Sequence, residues 1–426
     1  MERTHHSMLQ NALEACRKGE AVHGMKGASA MMSLQYIDIP KCFVIDWMHN
    51  VLLGVVKALL NFWLGSTHKD KDFFIGNKIS LLNQRLKQIQ IPDFISRRQR
   101  GLEEHAHWKA SECREWLIHF SMPVLSGVLK PYPLVHYSLL VTAMSLLTKD
   151  VISQDEVDLS EQLLFEFCRQ FPNVYGVTSQ TMNIHLLKHL ANFTRLHGPL
   201  FCFSCFGFES MNSYLMKMVH ESRYINNQVS FAIAMSKQLS NMLDHFDDGD
   251  SDTKHLVNQL GSKVLLENKE QIYHTFAMGK EKSLQRTDPV FRLLTSEMQV
   301  ESPTAFLRLQ KEVNIYHSEG YHQAKTRNNY TVAFMDGDEE EFGSILSFVR
   351  SGHDMYAVIQ QFETRHFSFD EETEMEVQAS NLRQYLQMTL CSHIYHITGQ
   401  KDRKLVRVEH VKKMCAHKCN QSIKVY

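Results

Sequence analysis

The 426-residue sequence contains no long uninterrupted apolar run. Its longest apolar stretch, residues 51–64, is broken by Lys57 and Asn61 and falls short of the roughly 20 residues that span a bilayer. The opening MERTHHSMLQNALEACRKGE has no apolar core of the kind a secretory signal requires. Proline is scarce at nine residues, and no Gly/Ser, Gln/Asn or Pro-rich tract occurs, which excludes wholesale disorder. Net charge is also missing. With 46 Lys and Arg against 47 Asp and Glu, the formal charge is −1, so any nucleic-acid contact must come from local patches. Nine scattered cysteines form no dense framework and read as reduced thiols. A Gly-rich phosphate loop, a Ser nucleophile elbow and an HExxH motif are all lacking. A soluble cytosolic or nuclear protein with no membrane partner is expected.

What is present is helical periodicity. Residues 43–64, FVIDWMHNVLLGVVKALLNFWL, are apolar on nearly all sides and run into Gly65, which predicts a buried helix. Helical spacing returns at 112–128, 134–147, 157–171, 180–194, 206–220 and 227–246. The acidic DDGDSD at 247–252 predicts a surface loop. After about 320 the pattern changes to period-2 runs at 330–334 and 342–349, separated by Met335-Asp336-Gly337-Asp338. Shorter runs follow at 356–362, 393–397 and 405–411, which together predict a small antiparallel module. The predicted class is α+β. A helical body covers 1–246, a linker with helical segments 247–319, and a β-rich module 320–426. The last 26 residues carry eight Lys/Arg against two Asp/Glu, making that module's end basic.

Two pairs of side chains could carry chemistry. Asp46 and His49 are three residues apart, and His185 and His189 four apart, so on a helix each pair leaves one face. Two such pairs could supply the four donors of a tetrahedral zinc site. With 24 histidines in the chain, pairs at these spacings also arise by chance, and spacing alone leaves both readings open. Glu209 in FGFESMN reads as an amphipathic-helix surface residue. Cys202 and Cys205 form a CxxC without a second pair, and Cys415 and Cys419 with His410 and His417 lack a fixed finger spacing. Both read as structural. On residues alone, a binding module is favoured over an enzyme.

The order of the motifs adds to this. VHGMKG at 22–27, DWMHNVLLGVVK at 46–57 and WKASECREWLIHFSMPVLSG at 108–127 are followed by TMNIHLLKHL at 181–190, RLHGPL at 195–200 and FGFESMN at 206–212. This succession resembles transposases of the CACTA (En/Spm) superfamily, over roughly residues 3–235. Those enzymes resemble RNase H-like recombinases, which hold two divalent ions between two Asp and one Glu for in-line attack on a phosphodiester. The resemblance implies that Glu209 matches the last catalytic acid. It implies further that Asp46, His49, His185 and His189 match the paired zinc ligands of the related RAG recombinase. In the family both catalytic aspartates precede the Asp-x-x-His pair, whereas residues 1–37 contain no Asp and Asp38 falls in the linking segment. The expectation is a transposase-derived, catalytically incomplete remnant that keeps a scaffold or binding role. It would hold structural zinc, and Mg or Mn only when a complete catalytic half is supplied, encoded further upstream or on another polypeptide. The alternative is an active transposase completed in that way. Nuclear location is favoured, with a protein partner or second copy as one associate. The other is weak, sequence-independent DNA contact through patches such as Arg97, Arg98 and Arg100.

Overall fold

The structure is a computed structural model that describes residues 3–95, 97–245, 269–369 apart from short stretches, and 394–418, with a few further positions. The DDGDSD stretch and Cys419 lie outside the described residues. The fold is α+β, with a helical body followed by an antiparallel strand-rich region.

The predicted helix at 43–64 begins later than its apolar pattern. Residues Met48–Val56 form a π-helix that runs directly into the α-helix Lys57–Leu64. Asp46 causes the late start, because it accepts hydrogen bonds at the helix entrance and so stands outside the helix. Such a capping residue adopts non-helical backbone and satisfies donors that have no intrahelical acceptor. Val51, Leu52, Val55, Leu59, Leu60 and Trp63 are fully buried along this element, which explains its all-round apolar sequence. Around it pack Pro131–Leu147, buried on nearly every side, and Gln154–Tyr175. The latter is opened by a reciprocal capping box between Ser153 and Glu156. It closes at Gly176, whose φ of 92° suits glycine. Among the described residues, no helix is long and apolar enough to cross a membrane.

The strand-rich region departs from the predicted boundary at 320. Among the described residues it begins at Lys269, and the described part of the stretch expected to be a helical linker holds six short strands and the helix Pro289–Met298. Strands of two to four residues are too short to display a period of 2. Four of them form a separate antiparallel sheet, in the order Lys269–Ile272, Thr275–Met278, Arg308–Lys311, Asn314–His317. The expected alternating segments are Thr331–Asp336, Glu339–Ser351, Asp354–His366 and Ile394–Arg407 in a ten-stranded antiparallel sheet. Asp336 pairs with Glu339 across Gly337 and Asp338, and the φ of 65° at Gly337 is the reason a glycine stands in this tight turn.

One strand of the large sheet comes from the helical body. Ile89–Gln90 pairs with Ala416–Lys418, more than 300 residues downstream. The chain beyond it is clamped by three consecutive residues. Arg327 donates to the Ile95 carbonyl at 2.6 Å, and the Asn328 N–H to Ile91 O at 2.9 Å. The side chain of Asn329 accepts from the Asp93 N–H at 2.9 Å and donates to the Asp93 carboxylate at 2.6 Å and to Ile315 O at 2.8 Å. Asn329 is 1% exposed. Its replacement by Ala removes three hydrogen bonds from the part-buried junction and should cost about 1–3 kcal/mol. Amide hydrogen exchange should show selective loss of protection at residues 89–95. Unchanged protection there would show that the clamp does not hold the two parts together.

Candidate metal centre

Asp46 does two jobs at once. Its Oδ1 accepts from the Met48 N–H at 3.3 Å, and its Oδ2 from the His49 N–H at 3.0 Å. These bonds cap the helix. Oδ1 also accepts from the Cys205 N–H at 2.9 Å, across 159 residues of sequence, while Oδ2 lies 2.5 Å from His49 Nδ1. Burial pushes the Asp46 carboxyl up, but the hydrogen bonds from Cys205, His49 and Met48 outweigh it and hold the group below the usual carboxylate range.

Cys205 stands at the entrance of the helix Phe206–Lys217, where Phe206 packs edge-on against Trp47 at 6.1 Å. Burial raises its thiol pKa, and the negative charges of Asp46 and Glu209 raise it further. One donor atom each from Asp46, His49 and Cys205 lies within 4.8 Å of the other two, and these three form the metal-capable group among the described residues. A carboxylate oxygen, an imidazole nitrogen and a thiolate form a mixed donor set that suits zinc better than magnesium. The proton between Asp46 and His49 and the one on the Cys205 thiol are what an ion would displace. A divalent cation also reverses the unfavourable charge that Asp46 and Glu209 place on the thiolate.

The sequence pairing of Asp46 with His49 therefore marks two neighbours, though through a cap rather than a shared helix face. Cys205, read from the sequence as half of a structural CxxC, is the third donor. The usable signal was its position directly ahead of FGFESMN. His185 and His189 meet edge-on with ring centroids 5.3 Å apart, and neither belongs to the close donor group. Their segment nevertheless docks beside it. Asn50 donates to the Asn183 carbonyl at 3.1 Å, and a Cβ at Gly54 would meet the Asn183 amide at 2.5 Å, so glycine permits the approach. The π-helix at this spot fits a pattern in which such helices accompany functional positions.

Glu209 lies in the first turn of Phe206–Lys217, exposed, with its N–H donating to Cys205 O at 2.9 Å. Asp38 is ion-paired with Lys41 at 2.9 Å and takes no part. Arg97 and Arg98 are exposed. Arg100 is committed elsewhere, for its guanidinium grips the buried Glu112 through Nε at 2.8 Å and Nη2 at 2.6 Å and also donates to the His107 carbonyl. Part of the basic C-terminal end is matched by acids on adjoining strands. Lys401 pairs with Glu341 at 3.0 Å, Arg407 with Asp354 at 3.5 Å, and Lys404 with Asp336. Cys415 is buried among the strands, and His410 sits beside Glu409 at 3.8 Å. Comparison with protein-family models, with curated proteins and with solved structures finds no significant match for this chain.

Proposed function

We propose that this chain is a transposase-derived protein that keeps a zinc-held helical scaffold for binding nucleic acid or a protein partner and does not cut DNA by itself. One observation carries this reading. Three segments whose order resembles CACTA transposases, 46–57, 181–190 and 206–212, meet at one place through the Cys205–Asp46 and Asn50–Asn183 hydrogen bonds. The donors gathered there are one carboxylate, one imidazole and one thiol. That set would hold a single ion, with one position of its tetrahedron left for a further ligand, whereas two catalytic ions about 3.5–4 Å apart need several shared carboxylates. Zinc bound here would tie the Phe206–Lys217 helix to the Met48–Val56 helix. The alternative, an active transposase whose upstream catalytic half is not in this sequence, draws support from Glu209, exposed and next to the donor group.

Metal analysis of the purified full chain should find near-stoichiometric zinc. His49→Ala and Cys205→Ala should each lower zinc affinity by more than the roughly 10–100-fold typical of removing a supporting hydrogen bond. Zinc retained in Cys205→Ala but lost in His185→Ala would replace the triad with the four-residue site expected from the sequence. Plasmid nicking with Mg²⁺ or Mn²⁺ should be absent. Metal-dependent nicking that disappears in Glu209→Gln would overturn the non-catalytic reading. Any DNA binding should be sequence-independent and fade steeply with salt.

A further inference from the structure

A cavity of about 360 Å³ opens beside the donor group, at the end of the helix Pro131–Leu147. Its wall carries Arg114, His119, Lys149 and Lys413, and no acidic residue. They come from three separate parts of the chain, Arg114 and His119 from one helical stretch, Lys149 from the end of Pro131–Leu147, and Lys413 from a strand of the large sheet. Arg114, Lys149 and Lys413 thus bring three cationic side chains to one wall. Each of the four side chains has a carboxylate neighbour outside the cavity wall. Glu115 lies 2.6 Å from Arg114 and 3.5 Å from His119, Glu156 lies 2.5 Å from Lys149, and Glu340 lies 4.0 Å from Lys413. Such partners hold long side chains in place while leaving further N–H donors for a ligand.

The aromatic residues of the wall supply a second, independent observation. Trp47 is 2% exposed, and its indole Nε1–H meets no acceptor. A buried donor without a partner costs free energy unless a ligand or water takes it. Phe201 is the other aromatic lining residue, with 48% of its surface exposed. An acceptor-rich anion would satisfy the indole and the cations together, and a flat ring could lie on Phe201.

We propose that this cavity binds a nucleoside monophosphate. The phosphate sits among Arg114, Lys149 and Lys413, with an oxygen accepting from Trp47 Nε1, and the base packs against Phe201. Ligand pockets run from roughly 300 to 1,000 Å³, and this cavity is at the lower end, of a size for one nucleotide. The inference is independent of the zinc site, whose residues are not those of the cavity wall.

Calorimetric titration of the full chain with adenosine 5′-monophosphate, inorganic phosphate and adenosine tests it. The nucleotide should bind saturably and more tightly than either fragment. Lys149→Gln combined with Lys413→Gln should weaken it roughly ten- to a hundredfold, because charge-assisted hydrogen bonds are lost. Phe201→Ala should weaken the nucleotide several-fold and leave phosphate unchanged. Zinc content and the thermal midpoint of each variant report whether the fold survives. If the double variant unfolds, Lys149→Gln alone carries the test, since that side chain is 47% exposed. Absence of saturable nucleotide binding, equal binding by the charge variants, or phosphate binding as tight as the nucleotide would each overturn the proposal.

Discussion

Replacing Trp63 by Ala is expected to lower the free energy of unfolding by about 3–5 kcal/mol. Trp63 is 1% exposed, meets the Tyr137 ring edge-on at 4.8 Å, and donates from Nε1 to the Tyr175 hydroxyl at 3.1 Å. It joins the Lys57–Leu64 helix to both long helices of the body, so a cavity there is lined by three elements that cannot all close in. Domains of ordinary stability hold about 5–15 kcal/mol in total, and this single change would consume a large part of it. Trp63→Phe separates packing from hydrogen bonding. It keeps an aromatic ring but leaves the buried Tyr175 hydroxyl without its donor, at a cost of about 1–3 kcal/mol. Urea unfolding followed by circular dichroism measures both. A loss below about 1 kcal/mol for the Ala variant would mean that Trp63 is not where the core is centred.

Acidification between pH 6.5 and 4 is expected to remove about 3 kcal/mol of stability through His136 alone. This histidine is fully buried on Pro131–Leu147 and stacks on Phe167 at 4.4 Å. Its Nε2–H donates to the Phe167 carbonyl at 2.9 Å, while Nδ1 has no hydrogen-bond partner. Burial pushes its pKa down to about 4, against the smaller opposing effects of the Phe167 carbonyl and Glu166. The unfolded chain takes up this proton near pH 6.5 and the folded one only near pH 4, so the unfolded state binds more protons within that window. Stability is therefore complete above pH 6.5, falls as the pH drops through the window, and has lost the whole contribution below pH 4. His317 and His396 are also depressed by burial and add to the same slope. The diagnostic quantity is thus the difference between wild type and His136→Phe, whose stability should fall less between pH 7 and pH 5. Identical slopes would show that His136 is solvated or charged in the folded protein.

Several features were legible in the sequence because they depend on neighbours along the chain. The apolar run at 51–64 required burial on nearly all sides, and its side chains belong to the core of the helical body. Alternation on both sides of Asp336-Gly337-Asp338 required a tight antiparallel pair, and Thr331–Asp336 and Glu339–Ser351 form it. The three-residue spacing of Asp46 and His49 brought their side chains together under any helical start, including the capped one observed. Tertiary structure decided the rest. That Cys205, and neither His185 nor His189, joins Asp46 and His49 within 4.8 Å depends on how the Phe206–Lys217 helix docks 159 residues later. That Arg100 is unavailable while Arg97 and Arg98 are exposed depends on a buried Glu112 twelve residues away. The strand Ile89–Gln90 exists only because a distant strand offers it hydrogen bonds. Periodicity reports which face of a segment is buried. It carries no information about which other segment covers that face, and in this protein that choice assembles both the donor group and the basic cavity beside it.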